Sequence, residues 1–174
     1  MSRHARTAFL SLLCLLLPLL IVAVVPAQDV SLAGARRGTV TWVYDGDTLH
    51  VDPIGKVRLL GIDCPERTRS PERDRKFTAL GADPARLDQI QHAGLRYNIA
   101  TAKGKSVTLQ LDRQPYDRHG RLLAYVVLPD GRLLNRLLLE EGLAVVYRRF
   151  DFARKDDFLE AEAEARQAGV GLWQ

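Results

Sequence analysis

Five side chains of this 174-residue sequence have the types and spacing needed to work on a phosphodiester: Asp47, Arg58, Asp63, Glu66 and Arg121. Asp47 sits in VYDGDTLHV, residues 43–51, where an Asp-Gly-Asp-Thr turn interrupts a strand-like run. RLLGIDCPE, residues 58–66, gathers Arg58, Asp63 and Glu66 around one strand end, and YDRHGR, residues 116–121, sets Arg121 after a His-Gly turn. If residues 48–52 and 56–62 form a hairpin around residues 54–55, paired positions sum to about 109 or 110, and Asp47 falls opposite Ile62 or Asp63. Carboxylates that close repel, and one pKa rises unless a cation lies between them. An all-oxygen site with backbone carbonyls and water favours Ca²⁺ or Mg²⁺ over zinc. A metal and two guanidiniums would neutralise charge building up on a phosphate, while Glu66 would orient or deprotonate water. The plainer reading is a pair of solvated loop acids, which the neighbouring arginines and third carboxylate weaken. Arg58 and Asp63 are five apart, and strict alternation sends them to opposite faces. Gly61 is therefore expected to end or bulge the strand and re-aim one of them.

Positioning these groups requires strands before helices. Val40, Val43, Leu49, Val51, Val57, Leu59 and Leu60 mark strands over residues 38–62, interrupted by turn residues. SVTLQL (residues 106–111), RLLAYVVL (121–128) and LAVVY (143–147) read as further strands, with Asp130-Gly131 as a hairpin signal. Asp83-Pro84 opens a helix to about residue 101 with Leu87, Ile90, Leu95 and Ile99 on its apolar face. Asn135 is expected to cap a helix over residues 137–141 stopped by Gly142. Residues 151–168 form the last helix, with Phe158, Ala161, Ala165 and Ala168 on one face. The fold class is α+β and mainly β: a five-stranded OB-fold barrel carrying about three α-helices. All-helical and doubly wound architectures fit badly.

Arg3, His4 and Arg6 precede an apolar run over residues 8–25, and Val25-Pro26-Ala27 offers a small residue before a cut. Residues 1–27 thus read as a signal peptide, or as an uncleaved membrane anchor, since the run is long enough to span. Residues 28–37 form a linker and residues 38–174 the domain. Cleavage after Ala27 leaves 147 residues with 23 Lys and Arg against 21 Asp and Glu, so the net charge falls from +4 to +2. Such a charge is only a weak pointer to an anionic partner. Cys64 alone survives cleavage, which excludes an intramolecular disulfide and zinc sites built on several cysteines. The localisation expected is export, to the medium or periplasm, or membrane anchorage with the domain outside the cytoplasm.

VYDGDTLHV, VRLLGIDCPE, YDRHGRLLAYVVLPDGRLLNRLLLEEGLA and EAEARQAGVGLW follow in this order across residues 38–173. Together they resemble the staphylococcal (micrococcal) nuclease family of thermonuclease-like domains. The resemblance implies an OB barrel with three helices and Ca²⁺-dependent endonuclease cleavage of DNA and RNA, leaving 3′-phosphates. By the same resemblance Asp47 and Asp63 stand for the carboxylate Ca²⁺ ligands, and Cys64 for the residue giving a backbone carbonyl. Glu66 matches the glutamate proposed as general base, and Arg58 and Arg121 the phosphate-binding pair. Departures touch substrate contacts. His119 replaces an aromatic residue in its turn, and Tyr147 and Phe150 in VYRRF stand where family members place base-stacking tyrosines. Tyr147 and Phe150 either stack on a base or close the core. His50 and His92 read as strand- and helix-surface residues. An extra charged stretch, residues 67–83, either lines a nucleic-acid channel through Arg67, Arg69, Arg73, Arg75 and Lys76 or is a solvated mobile loop. The alternatives to an exported nuclease are a catalytically inactive nucleic-acid- or protein-binding module and a membrane-tethered nuclease. No obligate protein partner is evident.

Overall fold

Residues 55–59 and 106–110 alternate buried with more exposed side chains, the pattern of strands with one face on a core, while residues 122–127 are buried almost throughout. The computed structural model describes residues 35–174, so the leader expected over residues 1–27 and most of the linker lie outside the described residues. In chain order the strands are β1 (Arg36–Val43), β2 (Thr48–Asp52), β3 (Gly55–Leu59), β4 (Ile62–Asp63), β5 (Ser106–Gln110), β6 (Leu122–Val127) and β7 (Val145–Val146). Val40, Leu49, Val51, Val57, Leu59 and Leu109 all turn inward and are buried, each contributing about 1.5–3 kcal/mol of burial free energy. Five strands close in the order β1-β2-β3-β6-β5, with β5 returning to β1. β3 and β6 run parallel and the other barrel pairs antiparallel. This is the expected five-stranded OB-fold barrel. β1 begins slightly ahead of the expected boundary at residue 38.

Among the described residues there are four α-helices rather than about three: α1 (Pro71–Thr78), α2 (Leu87–Thr101), α3 (Leu134–Glu140) and α4 (Lys155–Ala168). The additional one, α1, falls in the charged stretch of residues 67–83. Ser70 caps it by accepting the Arg73 amide at 3.3 Å, Pro71 opens it, and Phe77 is the one side chain it buries. Arg69 grips Asp74 through two nitrogens at 2.9–3.0 Å and so fastens the helix to its approach. α2 starts after a 3-10 turn whose Asp83 carboxylate accepts the Ala85 amide at 2.9 Å. Its inward face is Leu87, Ile90, Gln91, Gly94 and Asn98; Ile99, expected on that face, is exposed. α4 buries Phe158, Ala161 and Ala165 as expected, but Glu162 takes the place on that face expected for the exposed Ala168. Among the described residues no helix is long and apolar enough to cross a membrane.

Asn135 does not cap α3. It lies inside the helix, fully buried, and accepts the Val126 amide at 2.9 Å while donating to the Leu60 carbonyl at 2.9 Å and the Ala124 carbonyl at 3.3 Å. An amide there satisfies polar backbone where β3 and β6 end against the helix. β4 and β7 lie outside the barrel as a two-stranded antiparallel pair, Ile62 opposite Val146 and Asp63 opposite Val145.

The hairpin register also differs from the expectation. Thr48 pairs with Arg58 and Val51 with Gly55, so the loop is centred near Pro53 and Asp47 lies against Leu59, whose amide donates to the Asp47 carbonyl at 2.8 Å. The tight loop closes with Ile54 donating to the Val51 carbonyl at 2.7 Å and Gly55 at positive φ. Asp63 still reaches Asp47, but by a second reversal. Gly61 takes φ 81°, and a Cβ there would lie 2.6 Å from the Phe152 ring. Its re-aiming role is therefore as expected.

Candidate active site

The barrel's outer edge turns these elements into one cleft of about 1040 Å³. Arg58 is the outward residue between Val57 and Leu59 on β3, which aims its guanidinium at the DGDT turn and the β4 strand. It pairs with the Asp47 carboxylate through Nη1 and with Asp63 Oδ1 through Nη2 at 2.8 Å, and Nη2 also reaches the Ile62 carbonyl at 3.3 Å. The cation expected between the two acids is, in this structure, an arginine. Lys76 of α1 pairs with the other oxygen of Asp63.

Asp47 and Asp63 are nearly inaccessible, 2% and 6% exposed. Asp47 Oδ2 accepts the Cys64 amide at 3.0 Å, and Oδ1 accepts the Thr48 hydroxyl at 3.0 Å. Asp45 accepts the Asp47 amide at 3.0 Å, and burial, only partly offset by Arg58 and Thr48, raises its carboxyl above the ordinary range. Gly46 has an ordinary φ; it is glycine because a Cβ would lie 2.8 Å from Cys64 Cβ. The turn is held from behind by Asn98 of α2, which donates to the carbonyls of Asp45 at 3.2 Å and Gly46 at 2.9 Å. Burial pushes the Cys64 thiol far up, so its side chain stays protonated and unsuited to ligation.

Across the cleft Arg121 is fixed by Asp117, whose Oδ2 accepts Nε and Nη2, each at 2.7 Å. Asp117 Oδ1 accepts the His119 and Arg121 amides at 2.8 and 3.0 Å. Burial alone would raise the Asp117 carboxyl, but these backbone bonds and the guanidinium hold it below its usual value. Glu66 stands exposed at the rim, its Oε2 taking Arg73 of α1 at 2.6 Å. His119 is exposed beside Arg118 on the same lining, and Tyr147 is half-buried there. Phe150 does not line the cleft; it is exposed and packs on Tyr147 with centroids 4.9 Å apart. His50 and His92 lie on the surfaces of β2 and α2.

The stretch 67–83 supplies Arg67, Arg73, Arg75 and Lys76 to the cleft wall, while Arg69 is spent on Asp74. Further groups emerge that sequence reasoning missed. Besides Asn98, the buried Glu162 accepts the β7 amide of Val146 at 2.9 Å and pairs with Arg148, another lining residue. A glutamate on the apolar face of a helix was the available signal for Glu162. Among the described residues no cluster of three or more His, Cys, Asp or Glu side chains could cage a metal alone, so any metal here depends on two carboxylates with backbone or water oxygens.

A closed barrel with paired buried carboxylates, flanking guanidiniums and a rim glutamate is the arrangement of a phosphoryl-transfer site. The family model described as staphylococcal nuclease homologue matches residues 56–174, which takes in Arg58, Asp63, Glu66 and Arg121 and leaves the Asp47 turn just ahead of it. The chain belongs to this nuclease family. An uncharacterized protein of Methanocaldococcus jannaschii is 34% identical to it over 78% of this chain and 70% of its own length. The thermonuclease of Staphylococcus intermedius is 33% identical, over 76% of this chain and 73% of that protein. Endonuclease YhcR of Bacillus subtilis is 28% identical over 82% of this chain, which spans only 12% of that longer protein.

Proposed function

We propose that this protein is an exported Ca²⁺-dependent endonuclease that hydrolyses phosphodiester bonds of DNA and RNA and leaves 3′-phosphates. The observation that carries the reading is one cleft in which Arg58 bridges Asp47 and Asp63 while Glu66 and Arg121 line the same walls. Relatives named thermonuclease and endonuclease support it, and the apolar run after a basic start supports export.

The donor set suits Ca²⁺. Two carboxylates already share one cation, the thiol beside them is kept protonated, and neither carboxylate has a histidine partner. Asp47, Asp63 and the Cys64 carbonyl would hold the ion, which when bound supplies charge against the phosphate and polarises water. This chain's own residues account for the rest. Arg58 and Arg121 carry fixed charge and forked donors suited to the non-bridging phosphate oxygens. Asp117 keeps the Arg121 side chain extended into the cleft, so little ordering remains to be done on binding. Glu66, at the rim, orients or deprotonates the attacking water once a phosphate draws Arg73 away.

A non-catalytic binding module on the same barrel is the alternative, and the presence of all five side chains favours catalysis. Arg121→Ala and Glu66→Ala are each expected to lower turnover on DNA by about 10²- to 10⁴-fold with an unchanged melting curve. Near wild-type cleavage by either folded variant overturns its assigned role.

A further inference from the structure

We propose that Trp42 on the outer face of β1 and Tyr44 just past its end form a binding path for single-stranded nucleic acid that feeds the cleft; it rests on the nuclease reading and extends it. Trp42 is 56% and Tyr44 44% exposed, although burying such rings stabilises a fold more than almost any other side chain. A register shift against β2 between Val40 and Trp42 causes this. Thr41 is the extra residue, so Val40 and Val43 both face the core while Trp42 and Tyr44 face solvent.

Each exposed ring is paired with an ammonium. Lys56 Nζ stands 4.3 Å from the Tyr44 centroid and Lys103 Nζ 5.0 Å from the Trp42 centroid. Lys103 is delivered by the turn after α2, which docks on β1 as Gly104 donates to the Val40 carbonyl at 2.7 Å and Val40 donates to the Lys105 carbonyl at 3.0 Å. His50 lies between the two aromatics, opposite Trp42 in the sheet and 3.4 Å from the Tyr44 hydroxyl. The neighbouring acid, Asp52, sits 3.2 Å from His50 at the end of β2 remote from Asp47. Tyr44 itself lines the cleft, so the row is continuous with the site.

Two rings two residues apart on an extended chain are separated by about 7 Å, room for successive unstacked bases to take one ring each. An arriving strand exchanges each ring-bound ammonium for a base, and the freed ammonium moves to a phosphate. A duplex cannot use the path, because its bases already stack on one another. Charge agrees with the direction of travel. The cleft into which the row leads is lined by nine Lys and Arg against five Asp and Glu, out of 23 and 20 across residues 35–174.

The test is oligonucleotide binding in chelator, followed by the fluorescence of Trp42, with Trp173 as the only other tryptophan of the chain. A thymidine oligomer of about 12 nucleotides, long enough to cover a barrel face, should quench the indole emission. Trp42→Ala should abolish the quenching and weaken binding about tenfold, while leaving affinity for a dinucleotide and for a duplex of equal length unchanged. Lys103→Ala should weaken the same long oligomer and flatten its salt dependence. Equal affinity of Trp42→Ala and the unsubstituted chain for the long oligomer overturns the path and leaves the nuclease reading standing. An equal loss on duplex overturns it as well. Failure of the unsubstituted chain to bind the long oligomer in chelator overturns the path, whereas the nuclease reading falls only if cleavage is also absent when Ca²⁺ is restored.

Discussion

Arg58 joins two buried acids that would otherwise repel, and this is why so compact a set of charges is tolerated beside the barrel core. Arg121 and Glu66 are different: Arg121 is only partly buried and tied to one acid, and Glu66 is exposed. Their truncation should therefore affect turnover and leave stability alone, which is the basis of the expected loss without a change in melting. Spacing and residue type were enough to assemble Asp47, Arg58, Asp63, Glu66 and Arg121 from the sequence. The register used to bring Asp47 and Asp63 together was wrong, and the pair survives because the Gly61 reversal delivers Asp63 from another direction. Gly46 had a turn-like appearance, yet its reason is close approach to Cys64, a contact between segments that local pattern does not encode. Asn98 was illegible for the same reason, since its partners lie more than fifty residues away in the turn it holds.

Elements with a strong period were legible, and those held by a single anchor were not. α1 buries only Phe77, so no apolar stripe announced it; its Ser70-Pro71 start was the surviving signal. This helix has an energetic consequence for the site, because Lys76 neutralises Asp63 and Arg73 neutralises Glu66. Lys76→Met removes a cation that competes with a metal for Asp63. Calorimetric Ca²⁺ affinity is then expected to rise by up to about fivefold, the worth of a partly exposed ion pair. Unchanged or weaker Ca²⁺ binding contradicts that competition.

At the scale of the molecule, Asp112 links the end of β5 to the helical layer. Its carboxylate accepts the Tyr125 hydroxyl of β6 at 2.6 Å, the Ala153 amide ahead of α4 at 2.8 Å and the Arg113 amide at 2.7 Å. Burial would raise this carboxyl, but the three hydrogen bonds outweigh it and hold it below the ordinary aspartate value. A depressed folded-state pKa gives stability that is complete above the unfolded value, about 3.9, and is lost as pH falls through the folded one. Asp112→Asn should lower the melting temperature at neutral pH and make it less sensitive to acid below about pH 4. An acid branch as steep as that of the unsubstituted protein contradicts the assignment. Tyr125, edge-on to Phe158 at 5.9 Å, completes this joint. The barrel itself was legible because β3 and β5 alternate and β6 is an apolar run bounded by turn residues, whereas joints such as Asp112 and Asn135 are single polar residues whose partners only the closed fold supplies.

Cleavage of nucleic acid in this cleft by five side chains assisted by Ca²⁺ is the proposal on which the predictions for the cleft rest. Incubation of the purified protein with single-stranded DNA and with RNA in millimolar Ca²⁺, followed by excess chelator, tests it most directly. The expected result is cleavage of both polymers to 3′-phosphorylated ends, abolished by chelation and restored by Ca²⁺. Binding without cleavage in Ca²⁺, or cleavage that persists in chelator, contradicts it.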